Sequence, residues 1–210
     1  MIILIGSKKG GVGKSTLATN IAAFLIKKGK DIVLVDSDRQ STSANWAHDR
    51  SESNLPQLEC VRQYDNIRKT LIDLSRRYEH VIVDCQGRDS IELRTGLLAA
   101  DICIIPCKPS QPDLDTIPIM IGVINTAREI NENLKAFCVL TMTPTNHTIT
   151  EKADSIAYLD DYPDIKLLNT IISERKVYRD AIATGYGVTE MDNDKAKLEV
   201  ESLIMEIMTW

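Results

Sequence analysis

The feature that most constrains this chain is the stretch from Ile2 to Thr16, where an apolar run, a glycine-rich loop and a helical pattern follow one another directly. Its first four residues are aliphatic, which is typical of a strand buried on both faces of a parallel sheet. Three glycines then allow the loop to adopt positive φ and to approach a ligand closely. The helical pattern after the loop has an apolar face made of Leu17, Ile21, Phe24 and Leu25.

The loop has the chemistry of a phosphate site. Backbone N–H groups at the start of a helix attract an anion, and the helix dipole adds to this attraction. Lys14 can reach β- and γ-phosphates, and the Ser15 hydroxyl can hold Mg²⁺. The alternative is a glycine-rich turn without a ligand, which eight matching positions in this context disfavour. We therefore expect nucleotide binding by the loop residues Lys9, Gly10, Gly11, Val12, Gly13, Lys14, Ser15 and Thr16.

Apolar strand-like runs alternate with amphipathic helical stretches along the chain, which predicts an α/β fold with a mainly parallel, twisted sheet and helices on both faces. The pattern predicts strands at 2–5, 31–35, 58–61, 81–83, 102–105, 136–141 and 167–172. It predicts helices at 14–29, 43–50, 67–78, 89–100, 114–131, between the last two strands, at 174–183 and from 195 onwards, with a stiff proline loop at 106–112. We see no repeat or linker, so residues 1–210 are expected to form a single domain without a separate N-terminal DNA-reading domain.

The composition and charge of the chain exclude several classes of protein. Hydrophobic residues are 43% and charged residues 26% of the chain, as in an ordinary globular protein with a full core. No apolar run approaches the ~20 residues of a membrane span, and a strand that begins at residue 2 leaves no signal peptide. The five cysteines are expected to be reduced and buried. A net charge of −5 argues against a globally basic nucleic-acid binder but allows a local basic patch.

Carboxylates follow two of the predicted strands, at the sheet edge where open α/β proteins bind their ligands. Asp84 is placed to orient the hydration shell of Mg²⁺, although an Asp there could also cap the next helix. The backbone N–H of Gly87 is placed to sense a γ-phosphate. Asp36 and Asp38 follow the second strand, where the alternative is a polar turn with Asp38 as an N-cap.

The loop departs from the pattern G-x-x-x-x-G-K-[ST], because Lys8 stands where the first glycine would be and Lys9 leads the loop K-G-G-V-G-K-S-T. It resembles the deviant Walker A motif of the ParA/MinD family of ATPases. The resemblance implies the P-loop NTPase fold, hydrolysis of ATP to ADP and phosphate, and Mg²⁺ as cofactor. It also implies a homodimer in the ATP state, in which Lys9 reaches the partner's nucleotide.

Residues 36–40 resemble the D-x-D-P-Q segment of the ParA branch, with Arg39 where proline is usual. This implies that Asp36 assists Mg²⁺ and that Asp38 positions the attacking water. The expected catalytic residues are therefore Lys9, Lys14 and Asp38, and the expected metal ligands are Ser15, Asp36 and Asp84.

Essentially the full chain is similar to the small ParA (ParF-like) proteins of plasmids. Residues 106–115 resemble the proline-rich loop beside the adenine in that group, which implies base contacts from Pro106 and Pro109. A rigid connector is the alternative for this loop. Thr141 and Met142, at the end of the next strand, are placed to line the base as well.

The resemblance implies an ATPase of a DNA (plasmid) partition system, cytoplasmic and associated with the nucleoid in its ATP form. Its dimer would bind DNA non-specifically, and a centromere-binding ParB/ParG-like adaptor would stimulate hydrolysis. Candidate DNA contacts are Arg175, Lys176 and Arg179, with Arg175 and Arg179 on one helix face. The alternative for these cations is local pairing with Glu174 and Asp180.

Two other functions remain open. A MinD-like membrane-cycling ATPase is disfavoured because Glu199, Glu201 and Glu206 make the closing helix acidic, so we expect this helix to pack on the core and not on a membrane. A metabolic P-loop enzyme is the other. A reductase of that class would need cluster-ligating cysteines near the loop, and the sequence shows no suitable pair.

Overall fold

The computed structural model describes residues 1–146 and 151–209. Its centre is a seven-stranded sheet with the strand order β3-β2-β4-β1-β5-β6-β7. The strands are β1 (Ile2–Ile5), β2 (Ile32–Ser37), β3 (Glu59–Arg62), β4 (His80–Cys85), β5 (Ile102–Cys107), β6 (Lys135–Thr143) and β7 (Lys166–Ser173). Every pairing within this sheet is parallel, so the predicted α/β fold with a parallel sheet is confirmed.

Helices cover both faces of the sheet, because the strands alternate between two apolar clusters. In β1, Ile2 and Leu4 enter one cluster, whereas Ile3 and Ile5 enter the other. The helices are α1 (Lys14–Lys27), α2 (Thr42–Ser51), α3 (Arg68–Ser75), α4 (Ile91–Leu97), α5 (Gln111–Leu114), α6 (Ile117–Arg128), α7 (Glu151–Asp160), α8 (Lys176–Ile182) and α9 (Asp194–Met208). Residues of α3, α4, α6 and α7 pack in the first cluster, and residues of α1, α2, α8 and α9 pack in the second.

The central position of β1 determines where a ligand can bind. Its neighbours are β4 and β5, and each of the three strands ends at the same edge of the sheet. The loop after β1 therefore lies at the centre of this edge, between the loops that follow its neighbours.

The predicted elements around the proline-rich segment differ from the observed ones. The loop predicted at 106–112 is wrong at both ends, because Pro106 lies within β5 and Gln111 already begins α5. Ile104 accepts a hydrogen bond from the Gly6 N–H, so its backbone polar groups face β1. Residue 106 lies two positions further along β5 and therefore faces the same side. Because β1 has already ended there, the missing N–H of Pro106 costs no hydrogen bond between strands. The helix predicted at 114–131 is divided between α5 and α6.

The closing helix α9 packs on the core, as predicted. Val200, Leu203, Ile204 and Ile207 are buried in the second cluster, whereas Met208 is exposed. Its acidic residues have a structural use, because the Glu206 carboxylate accepts the backbone N–H groups of Asn169 and Thr170 in β7. Within residues 1–146 and 151–209, no helix is both long and apolar enough to cross a bilayer.

Candidate nucleotide-binding site

The loop between β1 and α1 has the backbone of a phosphate cradle. Gly11 has a φ of 69° and Gly13 a φ of 91°, values that residues other than glycine rarely adopt. Gly13 directly precedes α1, so the N-terminal N–H groups of this helix point to the loop. Val12 does not take part through its side chain, which is buried in the protein. Its carbonyl oxygen instead accepts a hydrogen bond from the Thr141 hydroxyl at 2.8 Å, which ties the loop to β6.

Lys14 is folded back into the loop. Its Nζ donates to the Lys9 carbonyl oxygen at 2.8 Å and lies 3.5 Å from the Ser7 hydroxyl. Burial lowers the pKa of Lys14 from its usual value, while the carboxylates of Asp84 and Asp38 oppose this shift. A phosphate would therefore meet a desolvated lysine, for which an anionic partner is especially favourable.

Gly87 presses against this loop from the end of β4. A Cβ atom at this position would lie 2.6 Å from both Lys14 Nζ and the Lys9 carbonyl oxygen, and 2.8 Å from the Gly10 Cα. Only glycine fits without a shift of the loop. The structure thus brings Gly87 to the phosphate loop, where its N–H was predicted to act.

Asp84 has the properties of a residue that supports a cation. It is fully buried in β4, and its Oδ2 accepts a hydrogen bond from the Ser43 hydroxyl at 2.7 Å. Burial raises the pKa of Asp84 to about 7, although the nearby hydroxyls of Ser15 and Ser43 oppose the shift. Its Oδ1 is buried without a hydrogen-bond partner in the described part of the chain. A buried carboxylate with a free oxygen beside the Ser15 hydroxyl fits the oxygen-rich ligand set that Mg²⁺ prefers.

Asp36 lies opposite Asp84 in the register of β2 and β4. Its two carboxylate oxygens accept the backbone N–H groups of Asp38 at 3.0 Å and of Ala44 at 2.7 Å. Burial raises the pKa of Asp36, and these two hydrogen bonds oppose the shift. The side chain therefore anchors the start of α2, and its role toward Mg²⁺ stays a prediction.

Asp38 does not cap α2. The residue before this helix is Ser41, which makes no side-chain capping bond, and the Asp38 carboxylate accepts the Gln40 N–H at 3.0 Å. Asp38 is half-buried and lines a cavity of about 550 Å³ together with the phosphate loop. A carboxylate at this position can orient a water molecule toward a bound phosphate.

A smaller apolar cavity of about 110 Å³ adjoins the loop at Gly13 and Thr16. Met142 lines both cavities, and its backbone has a positive φ of 50° at the end of β6. Thr141 lines the smaller cavity only. The larger, polar cavity is suited to the phosphates of a nucleotide, and the smaller, apolar cavity is suited to its base.

The sequence and the fold are similar to those of known proteins. Residues 3–188 match the model of the "CobQ/CobB/MinD/ParA nucleotide binding domain". The chain belongs to this family. Among curated proteins, it is 27% identical over 212 residues to the "Maintenance of carboxysome distribution protein A" of Halothiobacillus neapolitanus, covering 98% of this chain and 95% of the relative.

Two solved structures show the same fold. A putative plasmid partition protein of Borrelia burgdorferi, solved with AMPPNP, has a TM-score of 0.76 at 22% identity and covers 99% of this chain and 98% of its own. The cell division protein MinD of Aquifex aeolicus has a TM-score of 0.76 at 18% identity, with 100% and 97% covered.

Several predicted residues of this ParA/MinD-family chain lie apart from the cavities. Pro106 and Pro109 are not among the residues that line either one, so their contacts with a base stay a prediction. Conversely, no sequence pattern pointed to Ser43, which looks like an ordinary polar helix residue but is buried against Asp84. Gln86 and Arg88, which line the larger cavity, were also missed.

The predicted DNA contacts are paired with carboxylates. Arg175 is bound to Glu199 at 2.8 Å, Lys176 to Asp180 at 2.6 Å, and Arg179 to Glu174 at 3.6 Å. The prediction that Arg175 and Arg179 share a helix face is wrong, because α8 begins at Lys176 and Arg175 precedes it in extended conformation. The Glu174 N–H still donates to the Thr143 carbonyl oxygen of β6, so the extended chain of β7 continues to Arg175, whose side chain pairs with Glu199.

A third cavity, of about 620 Å³, contains Arg175 and two further cations, Lys152 and Lys195. Among the described residues that line it there is no carboxylate. The hydroxyl of Thr143, another lining residue, is buried and has no hydrogen-bond partner within residues 1–146 and 151–209. This surface is therefore suited to an anion, in a chain whose net charge is −5.

Proposed function

We propose that this protein is an ATPase of a DNA partition system, in which ATP drives formation of a homodimer that binds DNA without sequence preference. The observation that carries the proposal is the contrast between the two lysines of the phosphate loop. Lys14 is folded back onto the loop, whereas the Lys9 side chain is half-buried and makes no hydrogen bond or ion pair in the described chain. A loop lysine without an internal partner is available to a nucleotide on a second copy.

In this proposal each group at the site has one role. Lys14 and the loop N–H groups bind the β- and γ-phosphates, and the Gly87 N–H faces the γ-phosphate. Ser15 would hold Mg²⁺ with support from Asp84, and the ion would neutralise charge on the phosphate oxygens. Asp38 orients the attacking water, and Lys9 of a second copy stabilises the charge that develops during hydrolysis.

DNA binding is supported by the cation-lined cavity. Its cations Lys152 and Lys195 are exposed and make no ion pair in the described chain, and Arg175 is held in place by Glu199. Phosphate contacts of this kind give affinity that falls with salt and ignores base sequence. Because a two-fold dimer doubles the surface, we expect binding to depend on ATP. A DNA-bound adaptor of the ParB/ParG type is then needed to bring the cargo.

The decisive experiment measures oligomeric state in ATP, ADP and no nucleotide by light scattering, for the wild type, Lys9→Ala and the matched control Lys8→Ala. Lys8 is adjacent in sequence but pairs with Asp89 at 3.5 Å within its own chain. We expect ATP-dependent dimers for the wild type and for Lys8→Ala, and monomers that still bind ATP for Lys9→Ala. A normal ATP dimer of Lys9→Ala would refute the role of Lys9 across the interface.

DNA binding is tested separately with the double variant Lys152→Ala/Lys195→Ala, with Lys197→Ala as control because Lys197 pairs with Asp194 at 3.3 Å on the same helix. Each phosphate contact that is lost reduces the slope of log K against log salt by about 0.9. The ATP dimer carries two copies of each lysine, so the double variant loses four contacts, and we expect a reduction of about 3.6 in ATP, with dimerisation intact. An unchanged slope would place the DNA surface elsewhere.

A second candidate cargo is a protein assembly in place of a plasmid, because the relative named for carboxysome distribution matches 98% of this chain. This candidate shares the ATP and DNA chemistry and differs only in the adaptor. Deletion of the gene distinguishes the two, since plasmid loss supports partition and misplaced protein assemblies with stable plasmids support the alternative. A membrane-cycling role would require binding to anionic liposomes, whereas Val200, Leu203, Ile204 and Ile207 of α9 are buried in the core.

A further inference from the structure

The turn that presents Asp38 has no proline to stiffen it. The Ser41 N–H donates to the Asp38 carbonyl oxygen at 2.8 Å and closes a β-turn over residues 38–41. Arg39 is therefore the second residue of this turn, where proline is favoured because its ring presets φ near −65°. Arg39 is not among the residues with positive φ, and its N–H makes no hydrogen bond in the described chain. Neither property of Arg39 excludes a proline at this position.

One tyrosine instead contacts the second and the last residue of the turn. The Arg39 guanidinium carbon lies 5.1 Å from the centroid of the Tyr64 ring, and the Tyr64 hydroxyl lies 3.4 Å from the Ser41 hydroxyl. Arg39 also forms an ion pair with Asp65 at 3.5 Å. Because that pair is largely exposed, with 62% and 76% of the two side chains accessible, it restricts the turn little on its own.

Tyr64 is itself held in place by the fold. The residue before it, Gln63, donates its N–H to the Asp36 carbonyl oxygen at 3.1 Å. The residue after it, Asp65, donates its N–H to Glu92 at 3.0 Å. The backbone on both sides of Tyr64 is therefore held by the fold, and the Arg39 guanidinium lies over its ring.

We propose that Tyr64 is a positioning residue for hydrolysis: by holding Arg39 and Ser41 it restricts the turn that presents Asp38, as a proline at position 39 would. The inference rests on the proposed ATPase function for its catalytic consequence, but the restriction of the turn is a property of the protein alone. A free turn would spread the Asp38 carboxylate over several orientations, and only some of these orient water toward a phosphate. An exposed cation–ring contact and a well-placed proline have effects of similar size, so one can replace the other.

The experiment compares the wild type, Tyr64→Ala and Tyr64→Ala/Arg39→Pro in the full chain. Hydrogen exchange of the peptide that contains the Ser41 amide reports the turn, and single-turnover hydrolysis at saturating ATP reports its consequence. For Tyr64→Ala we expect exchange about two- to fivefold faster and hydrolysis slower by a similar factor, with ATP affinity unchanged. The added proline is expected to restore both rates.

Arg39→Ala and Lys28→Ala form a matched pair of controls. Lys28 is also stacked on a ring, that of Phe24 at 5.3 Å, but at the far end of α1. Only Arg39→Ala should change exchange at Ser41. If Tyr64→Ala leaves exchange unchanged, or if proline restores neither rate, the proposal is overturned. A wild type without hydrolysis would overturn the proposed function and the catalytic consequence, while the exchange rates would still decide whether Tyr64 restricts the turn.

Discussion

The buried ion pair between Arg50 and Glu190 offers the sharpest test of what holds the site in place. Arg50 lies in α2, the helix whose first turn contacts Asp36 and Asp84. Its side chain is 1% exposed, and that of Glu190 is 4% exposed. The guanidinium donates twice to Glu190, at 2.7 and 2.9 Å, and also to the carbonyl oxygens of Pro56 and Gly185. The pair therefore joins α2 to the segment between α8 and α9.

Glu190→Ala removes the counter-charge and leaves a buried guanidinium with two carbonyl acceptors. Loss of one partner from a buried pair costs about 3–5 kcal/mol. Because small proteins are stable by only about 5–15 kcal/mol, this is a large part of the free energy of unfolding. The exposed pair Lys30–Glu79, with 45% of each side chain accessible, is the control. Its loss should cost about 0–1 kcal/mol.

The assay is urea denaturation of the wild type, Glu190→Ala, Arg50→Met, the double variant Arg50→Met/Glu190→Ala and the control Lys30→Ala. We expect the double variant to lose less than the sum of the two single changes, by about 1–3 kcal/mol, because it leaves no unpaired buried charge. A Glu190→Ala midpoint that implies a loss below about 1 kcal/mol, with an unchanged m-value, would contradict this reasoning.

Three further predictions concern single side chains. Gly87→Ala should weaken ATP binding at least about tenfold by calorimetry, because its Cβ would displace the Lys9 carbonyl and Lys14; unchanged affinity would mean that the loop adapts freely. Thr141→Val should lower the free energy of unfolding in urea by about 1–3 kcal/mol, because the Val12 carbonyl oxygen loses its buried hydrogen-bond donor. A urea midpoint equal to that of the wild type would contradict this prediction. Burial opposes the charge of Glu206, but hydrogen bonds from Asn169 and Thr170 together lower its pKa. The stabilising effect of the Glu206 carboxylate is therefore present above the ordinary carboxyl pKa and is lost as pH falls. Glu206→Gln should thus lower the free energy of unfolding at pH 7, and lower it less at pH 4. A difference between wild type and variant that is larger at pH 4 than at pH 7 would contradict this reasoning.

Much of the fold could be predicted because it depends on local pattern. The aliphatic run of β1 and the glycines after it leave few conformations other than a buried strand and a loop with positive φ, and the structure has both. Alternation of strands and helices predicted a parallel sheet, which is confirmed. Element ends were less predictable. Thus Asp36 and Asp84 lie inside their strands rather than after them.

Side-chain partners, in contrast, depended on the tertiary structure. The sequence pattern predicted Arg175 on a helix with Arg179, but Arg175 precedes that helix and pairs with Glu199, 24 residues away. Asp84 and Ser43 are 41 residues apart and meet only because β2 lies beside β4. The physical reason is that backbone conformation follows from neighbouring residues, whereas a buried polar atom takes whichever partner the strand order brings within about 3 Å.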